Sequence, residues 1–536
     1  MAAQHFINVD LATIKVPAAN GKKAINRILG WGDEVEVANI TAEHVEVKVT
    51  IFNEQGDGSV KPEQVSGFIT PKKNTITAAD LVVAKKDSKI LKIDFVDVQQ
   101  GDGSVIETPK GKVILIDGGD NQLFARYLAN RYRGSSAAKP KEIDCILVTH
   151  GDADHFQGLI RIHESETDPR LDAQKWKRLF IHPKRVYHNG LVKRPAKKNG
   201  KARKEKEMLG ATGAAKDPVS GKEVTIITGL ESNLLTVDDA EMNEPFRLWK
   251  SALTNYKKRG TIKFKRLEKG DDAAFDFLGD EKISVQVLGP IMTTLGNVKG
   301  LKFLGSPPEG PRIGQESLNI QPVGFSGASA SHTINGHSVI FRMNYGRFNF
   351  LFTGDLNDEA GRALASAHSK GKLNLQSEVF KVPHHGSADF SGAFIQSVAP
   401  VISVISSGDE SARKEYVHPR ATIIGALGKH SRVEEPLIFV TELVAFFAME
   451  GFVDPEFHQL SKEGKAVIKD NEVALNAKAK KRFFAFSRAA FGIVMVRTDG
   501  ERLLVYTNSG QEKLKEAYAY RINEFGKPEP TEVRKV

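Results

Sequence analysis

Four residues with metal-binding side chains occur within six positions of the sequence. They are His150, Asp152, Asp154 and His155, and they directly follow an apolar run at residues 143–148 that predicts a buried β-strand. The loop after a strand can turn imidazole and carboxylate groups toward a common point at the edge of a sheet. The spacing therefore predicts a site for two adjacent divalent cations. An Asp shortly after a His can also cap the next helix, so the motif alone leaves that alternative open.

Similar polar motifs lie next to other predicted strands. Apolar runs predict strands at residues 91–98, 112–117, 339–343, 348–352, 378–382 and 401–405. Because each motif adjoins a strand end, the motifs are expected to converge on one edge of a sheet. In chain order they are Gln100-Gly101-Asp102-Gly103-Ser104, Asp117-Gly118-Gly119, Asn335-Gly336-His337-Ser338, Thr353-Gly354-Asp355, Pro383-His384-His385-Gly386-Ser387 and Val417-His418-Pro419.

In order and combination, these motifs resemble the metallo-β-lactamase fold superfamily. Within it they are most similar to the branch that includes the nuclease-like domain of the competence DNA-uptake protein ComEC. The resemblance covers roughly residues 90 to 420. It implies an α/β chain folded as an αββα sandwich with a hydrolytic metal centre, whereas superfamily membership by itself says little about the substrate.

The resemblance also implies two metal subsites that share a bridging carboxylate. The expected ligands are His150, Asp152 and His337 at the first subsite and Asp154, His155 and one of the pair His384 and His385 at the second, with Asp355 between the two metals.

Three of the histidine assignments have alternatives. His332 is close enough in sequence to His337 to compete for its place. For the pair His384 and His385, the sequence does not decide which ring binds metal. We predict His384 as the ligand, and His385 as a residue that binds metal or contacts substrate. For His418 four roles are open. It binds metal, donates a proton to the leaving group, orients a metal ligand, or caps the chain before a proline.

The expected chemistry needs no protein nucleophile. Two cations lower the pKa of a shared water from ~15.7 toward roughly 7 and produce a metal-bound hydroxide. Asp154, Asp355 and His418 are the predicted catalytic residues. Many superfamily members have a second His at the position of Asp152, and a carboxylate there makes manganese a candidate beside zinc. The sequence has neither a Gly-x-Ser-x-Gly elbow nor a P-loop, and its single cysteine, Cys145, lies inside an apolar strand.

The composition fits a soluble enzyme with more than one unit. The chain has 536 residues, of which 40% are hydrophobic and 26% charged, and its formal net charge is +10. One cysteine favours a reducing compartment, and the amino terminus lacks a secretory signal pattern. No apolar run approaches the ~20 residues that a membrane span needs. We therefore expect a cytoplasmic protein that does not bind a membrane.

The sequence predicts four segments. Residues 1–70 alternate apolar and polar positions and resemble, weakly, an SH3-like β-barrel module, which would contact a protein partner or pack beside the catalytic unit. Residues 71–88 are the predicted linker. Residues 89–510 form the catalytic domain, with insertions around 165–320, and include a predicted helix at 441–450 and a hairpin with strands at 492–497 and 502–507. Residues 511–536 are predicted to be a tail.

A basic stretch lies inside the predicted insertions. Residues 175–206 contain 13 Lys or Arg and the single acidic residue Glu205. Such a run is either a solvated loop or a contact surface for phosphate groups. The candidate residues for binding DNA or RNA are Lys193, Arg194, Lys197 and Lys198.

The favoured function is that of a di-metal phosphodiesterase, most specifically a nuclease. A second hypothesis is a hydrolase of a small ester, lactone or cyclic nucleotide. A third is a metal-binding effector or interaction protein that acts through its amino-terminal module.

Overall fold

The computed structural model describes residues 3–17, 24–54, 60–72, 76–218, 221–305, 329–408, 418–442, 492–508 and 516–536. Its strands, in chain order, are β1 Ala3–Ile7, β2 Leu11–Val16, β3 Ile25–Gly30, β4 Glu34–Ile40, β5 Val45–Glu54, β6 Val60–Ile69, β7 Val82–Ala84, β8 Leu91–Phe95, β9 Gly103–Glu107, β10 Val113–Asp117, β11 Lys141–Ile143, β12 Cys145–Leu147, β13 Ile181–Pro183, β14 Arg185–His188, β15 Lys197–Lys198, β16 Lys201–Ala202, β17 Thr212–Lys216, β18 Glu223–Ile227, β19 Lys263–Arg266, β20 Ile283–Gly289, β21 Thr293–Leu295, β22 Val298–Lys302, β23 Ile340–Tyr345, β24 Phe348–Phe352, β25 Val379–Lys381, β26 Ile402–Ile405, β27 Leu437–Val440, β28 Ile493–Thr498, β29 Arg502–Asn508, β30 Ala517–Ile522 and β31 Pro528–Thr531. The α-helices are α1 Leu123–Arg131, α2 Ala153–Thr167, α3 Glu244–Lys257, α4 Ala330–Gly336, α5 Asp358–Ser369, α6 Gly392–Val398 and α7 Ala421–His430. Short 3-10 helices lie at Ala79–Leu81, Lys85–Asp87, Pro169–Lys177, Glu205–Glu207, Leu234–Thr236, Asp239–Glu241, Asp272–Glu281 and His384–Gly386.

Two sheets pack face to face in the catalytic region. The first has the order β19-β14-β12-β10-β9-β8-β28-β29-β30-β31, and the second has the order β20-β23-β24-β25-β26-β27. Apolar side chains from both sheets fill the space between them. Phe352 of the second sheet stacks on Phe95 of the first, with ring centroids 5.9 Å apart, and on Phe341, at 4.8 Å. The central strands are buried on both faces. Strands β10 and β26 are accordingly almost entirely apolar, whereas β8 contains the buried charged residues Lys92 and Asp94.

Helices cover the outer face of each sheet. Helices α1, α2 and α3 pack on the first sheet through one apolar cluster, and α5, α6 and α7 pack on the second through another. The arrangement is an αββα sandwich, and the predicted fold is confirmed. The parallel strands β10, β12, β24, β25 and β26 carry the predicted motifs at their carboxyl ends.

The amino-terminal segment forms its own sheet. Its order is β3-β2-β6-β5-β4-β1-β7, and all neighbouring strands are antiparallel. Alternate residues such as Val35, Val37 and Val47 point into a small apolar core. This is a compact, barrel-like β module, as the alternating pattern predicted.

Two segments that the sequence analysis treated as connections belong to sheets instead. Strand β7 lies inside the predicted linker of residues 71–88 and pairs with β1, because Val82 and Val83 belong to a short apolar run between Asp80 and Lys85. Strands β30 and β31 lie in the predicted tail of residues 511–536 and extend the first sheet, since the Tyr520 and Ile522 side chains are buried on it.

The predicted insertions around residues 165–320 also contribute to the framework. Strands β14 and β19 extend the first sheet in parallel, and β17, β18, β22 and β21 form a separate small sheet. The predicted helix at residues 441–450 lies, from residue 443 onward, outside the described residues. Within the described part of the chain, no helix is both long and apolar enough to cross a membrane.

The amino-terminal sheet is joined to the first sheet by a buried ion pair. The guanidinium of Arg502 in β29 donates to both carboxylate oxygens of Asp10, with Nη2 2.6 Å from Oδ2, and the backbone N–H of Arg534 donates to Oδ2 at 2.6 Å. Asp10 is fully buried and Arg502 nearly so. Asp10 and Arg502 are therefore paired across this junction, and the side chain of Arg534, with Nε 3.9 Å from Oδ2, is a second cation beside Asp10.

We expect Asp10→Ala to lower the free energy of unfolding by roughly 3–5 kcal/mol, because it leaves the Arg502 charge buried without a partner. The matched control is Glu34→Ala, which breaks an ion pair with Lys85 whose side chains are 40% and 42% exposed, and which should cost about 0–1 kcal/mol. Urea unfolding of both variants gives the comparison. Equal losses of stability would contradict the importance of this junction.

Candidate metal centre

The predicted motifs converge at one edge of the sandwich. The loop after β12 carries His150 and leads into α2, whose first turn carries Asp154 and His155. Asp355 follows β24 in the other sheet, and His385 lies in the 3-10 helix after β25. Because these strands end at the same edge, residues far apart in the sequence face a common point between the two sheets.

Five of the predicted side chains form one compact cluster. Asp355 is at its middle: its Oδ1 lies 3.2 Å from Nε2 of His155, and its Oδ2 lies 3.2 Å from Nε2 of His385 and 3.9 Å from Nε2 of His150. Asp154 adds a carboxylate oxygen 3.6 Å from Nε2 of His385. Two overlapping sets, His150 with His155 and Asp355, and Asp154 with His155 and His385, each have ligand atoms within 4.8 Å of one another.

The donor atoms of this cluster fit a divalent cation. Nε2 of His150, His155 and His385 and Oδ1 of Asp355 are buried, and none of them makes a hydrogen bond to any described residue. Buried polar atoms normally have a hydrogen-bond partner, so four such atoms converging on one point indicate a site completed by an ion. Imidazole and carboxylate together are ligands for zinc and for manganese.

Asp117 orients His155 from behind. Its Oδ2 lies 2.9 Å from Nδ1 of His155, which leaves Nε2 of that ring turned toward the cluster. Thr149 fixes the carboxylate by donating its backbone N–H to Oδ1 at 2.8 Å and its hydroxyl to Oδ2 at 2.7 Å. The sequence analysis noted the Asp117 motif but gave this residue no role.

Asp102 has the corresponding position behind His385. Its Oδ1 lies 3.3 Å from Nδ1 of His385, and its Oδ2 forms a buried ion pair with Lys381. The turn that carries Asp102 passes close to α2: a Cβ on Gly101, whose φ is +101°, would lie 1.8 Å from the backbone oxygen of Asp154. Only glycine permits this approach, which brings the Gln100 amide within 3.2 Å of Oδ2 of Asp154. The sequence signal for Asp102 was therefore the glycines on either side of it.

The structure does not bring Asp152 or His337 into the cluster. Oδ1 of Asp152 accepts a hydrogen bond from Nζ of Lys193 at 2.9 Å. Nε2 of His337 lies 2.7 Å from the carbonyl oxygen of Lys302, in a neighbouring cavity. The competing His332 instead pairs with Asp389, with Nδ1 3.2 Å from Oδ2. Among the described residues, the sets of ligand atoms within 4.8 Å of one another include none of these three residues.

Of the histidine pair, His385 rather than His384 lies in the cluster. The ring of His384 lies toward His418, with their centroids 6.1 Å apart, and the ring of His418 is 6.4 Å from that of His385. His418 is thus beside the cluster without being one of its grouped ligands. Burial, with the adjacent His384 and His385, lowers the pKa of His418 to about 3, so its ring is neutral near pH 7.

The four candidate nucleic-acid contacts have different surroundings. Lys193 is paired with Asp152, and Nε of Arg194 lies 2.7 Å from a carboxylate oxygen of Glu241. Lys197 and Lys198 form the exposed strand β15 of a small hairpin. Only the last two present side chains that extend fully into solvent.

The electrostatics of the ligands differ from ring to ring. Burial, reinforced by His155, lowers the pKa of His150 to about 3, so this ring is in the neutral form that binds metal. Burial also disfavours a proton on His155 and on His385. The neighbouring carboxylates together outweigh it and hold each pKa well above its usual value: Asp355 with Asp117 at His155, and Asp355 with Asp102 and Asp154 at His385. Protons therefore occupy these two rings when no cation does.

Comparison with known proteins agrees with this geometry. Residues 96–237 match the sequence profile of the Metallo-beta-lactamase superfamily. The chain is 32% identical over 98 residues to ComE operon protein 3 of Bacillus subtilis (strain 168), a match that covers 18% of this chain and 12% of that protein. It is 34% identical over 97 residues to Competence protein ComA of Neisseria gonorrhoeae, which covers 18% of this chain and 13% of that protein.

The chain therefore carries a metallo-β-lactamase superfamily domain of the ComEC-like branch, and the predicted resemblance is confirmed. The match spans only about an eighth of the length of either relative. The match to the superfamily profile, at residues 96–237, includes β9, β10, β12, the His150 to His155 motif and α2.

We expect Asp117→Asn to weaken divalent-metal binding by roughly 10- to 100-fold, because the amide no longer fixes the ring and tautomer of His155. Competition with a chelating dye measures the affinity. Asp144→Asn is the matched control, since Asp144 accepts a backbone hydrogen bond from Val113 at the opposite end of the same strands. An equal loss in both variants would mean that Asp117 acts on the fold instead of on the ligand.

We also expect metal affinity to rise with pH. His155 and His385 have raised pKa values in the metal-free site, so a cation must displace their protons, and affinity should increase by roughly tenfold per pH unit for each proton released. Calorimetric titration in buffers of different ionisation enthalpy counts the released protons. Binding that releases no protons and does not change with pH would refute this electrostatic account.

Proposed function

We propose that this chain is a divalent-metal-dependent hydrolase of phosphodiesters, with nucleic acid as its favoured substrate. The observation that supports it most strongly is the buried His and Asp cluster, whose orphaned ligand atoms converge between the two sheets. The superfamily match to residues 96–237 supports a metal-dependent hydrolase independently of that geometry.

The protein residues have separable tasks in this proposal. Asp154, His155, Asp355 and His385 would hold a cation, with His150 beside them. When bound, a divalent cation in such a site lowers the pKa of water and neutralises the charge that develops at phosphorus. Asp355 contacts imidazoles on either side and keeps the ligands together.

Two residues that could have provided other chemistry are unsuited to it. Cys145 lies buried in β12, and burial raises the pKa of its thiol, so it would be a poor nucleophile. The low pKa of His418 favours a ligand or a hydrogen-bond acceptor over a proton donor to the leaving group. The proposed hydrolysis therefore depends on the metal ligands and on water.

Charge favours a polyanionic substrate. The whole chain carries a formal charge of +10. Strand β15, which follows Lys193 in the sequence, presents Lys197 and Lys198 to solvent. A phosphate backbone is attracted to such a surface irrespective of its sequence. One similar protein is also named for competence.

The substrate class is tested with a panel. Purified protein with manganese or zinc is incubated with circular DNA, single-stranded DNA, RNA, small phosphodiesters, and lactones or esters. We expect cleavage of nucleic acid, and we expect Asp355→Ala to reduce it by more than about 100-fold because both groups of ligands lose their shared carboxylate. Hydrolysis confined to esters or lactones would favour the small-substrate alternative, and no hydrolysis of any member would contradict an enzyme.

The exposed lysines are tested by salt dependence. Replacing Lys197 and Lys198 with Gln should reduce the slope of log affinity against log salt by up to ~0.9 per lost contact with duplex DNA, or ~0.7 with a single strand. Lys15→Gln with Lys48→Gln, on the exposed side of the amino-terminal sheet, removes the same charge at a distance from the cluster. If both double variants change the slope equally, the hairpin has no specific contact with the substrate.

A further inference from the structure

Both carboxylate oxygens of Asp152 are already occupied by protein groups. Nζ of Lys193 donates to Oδ1 at 2.9 Å. The side-chain amide of Asn335, in the orientation that satisfies its donors and acceptors, donates to Oδ2 at 3.0 Å and to the carbonyl of Ser331 at 3.0 Å. Neither oxygen of Asp152 is among the orphaned atoms of the cluster. Asp152 therefore forms an ion pair with Lys193, whereas Asp355 has an oxygen without a hydrogen-bond partner among the described residues.

The fold holds Lys193 in place for this contact. Its carbonyl oxygen accepts a hydrogen bond from the backbone N–H of Asn243, the residue that caps α3, at 2.9 Å. Its side chain is only 24% exposed, and Nζ also lies 3.4 Å from Oγ of Ser331. The ammonium is thus anchored at the edge of the cluster and is not a freely solvated charge of the basic stretch.

The charge of the remaining ligands suits one divalent cation. Asp154 and Asp355 contribute two negative charges, and the rings of His155 and His385 are neutral when they bind metal. Two carboxylates therefore balance one doubly charged ion. A second ion between His150 and Asp152 would lie next to the ammonium of Lys193, and like charges repel strongly in a buried site.

The other two buried carboxylates at this edge lie behind the ligand rings. Asp102 is 3.3 Å from Nδ1 of His385 and forms its ion pair with Lys381, and Asp117 is 2.9 Å from Nδ1 of His155 and accepts hydrogen bonds from Thr149. Among the described residues, neither carboxylate is grouped with His150 or with Asp152, where a second ion would lie.

We propose that Lys193 takes the place of a second metal ion, so that the centre holds one divalent cation beside a fixed ammonium. The cation is bound within the cluster of His150, Asp154, His155, Asp355 and His385, and Asp152 serves to hold Lys193. This differs from the two-metal arrangement expected from the sequence. The inference rests on the proposed metal-dependent function, because it assumes that the cluster binds a cation.

The experiment counts ions. The full chain is dialysed to equilibrium against manganese or zinc, and bound metal is measured by elemental mass spectrometry. We expect about one ion per chain in the natural protein and about two in Lys193→Met, which frees Asp152 and removes the repelling charge while retaining the length of the side chain. Lys250→Met is the matched control: Lys250 is also ion-paired, with Asp239 at 2.7 Å, and is 21% exposed, and this variant should retain about one ion.

A second variant makes the test independent of how well Lys193→Met folds. Asp152→Asn should still bind about one ion, because Asp152 is not a ligand of that ion. The affinity should fall only modestly, since the ammonium of Lys193 then lacks its counter-charge. About two ions in the natural protein, or about one in a folded Lys193→Met, would overturn the inference. So would loss of the ion in Asp152→Asn. No bound metal at all in the natural protein would instead remove the proposed metal-dependent function, and the inference with it.

Discussion

The imidazole of His155 lies between two buried carboxylates that come from different sheets. Nδ1 is 2.9 Å from Asp117 at the end of β10, and Nε2 is 3.2 Å from Asp355 after β24. Buried carboxylates are costly unless a positive charge compensates them. Packing the two sheets together at this edge therefore requires a cation or protons between the two carboxylates. The same requirement creates the metal centre. The function of the site follows from how the sandwich closes.

Much of this arrangement could be predicted from the sequence because burial leaves a strong pattern. Strands β10, β24 and β26 are mainly apolar and largely buried, and their ends are marked by polar motifs. The order of those motifs indicated the αββα fold through their resemblance to the metallo-β-lactamase superfamily. Strands β7 and β31 were missed because they are short strands at the edges of their sheets, too short to be distinguished from connecting segments. Strand β30 pairs with β29 and β31 and was missed because its alternating residues lie in a segment predicted to be a tail.

The direction of individual side chains was much harder to predict. Ser338 faces the site, with Oγ 3.3 Å from Nδ1 of His150, whereas its neighbour His337, at the end of α4, contacts the carbonyl oxygen of Lys302. His384 and His385 both have left-handed backbone, with φ of 50° and 52°, so neither helical nor strand periodicity indicates which ring faces inward. Motif spacing therefore located these loops correctly but could not assign each ligand within them.

The revised ligand set changes the argument about which metal binds. Asp152 was the residue expected to favour manganese, but Lys193 holds it, and the oxygen ligands that remain are Asp154 and Asp355. In the proposed site, imidazoles with two carboxylates would suit both metals, and for a given site of this kind zinc binds more tightly than manganese. The carboxylates behind His155 and His385 would also make those rings more basic and so strengthen binding of either ion. On this proposal we expect zinc, with manganese bound only where it is the more available ion.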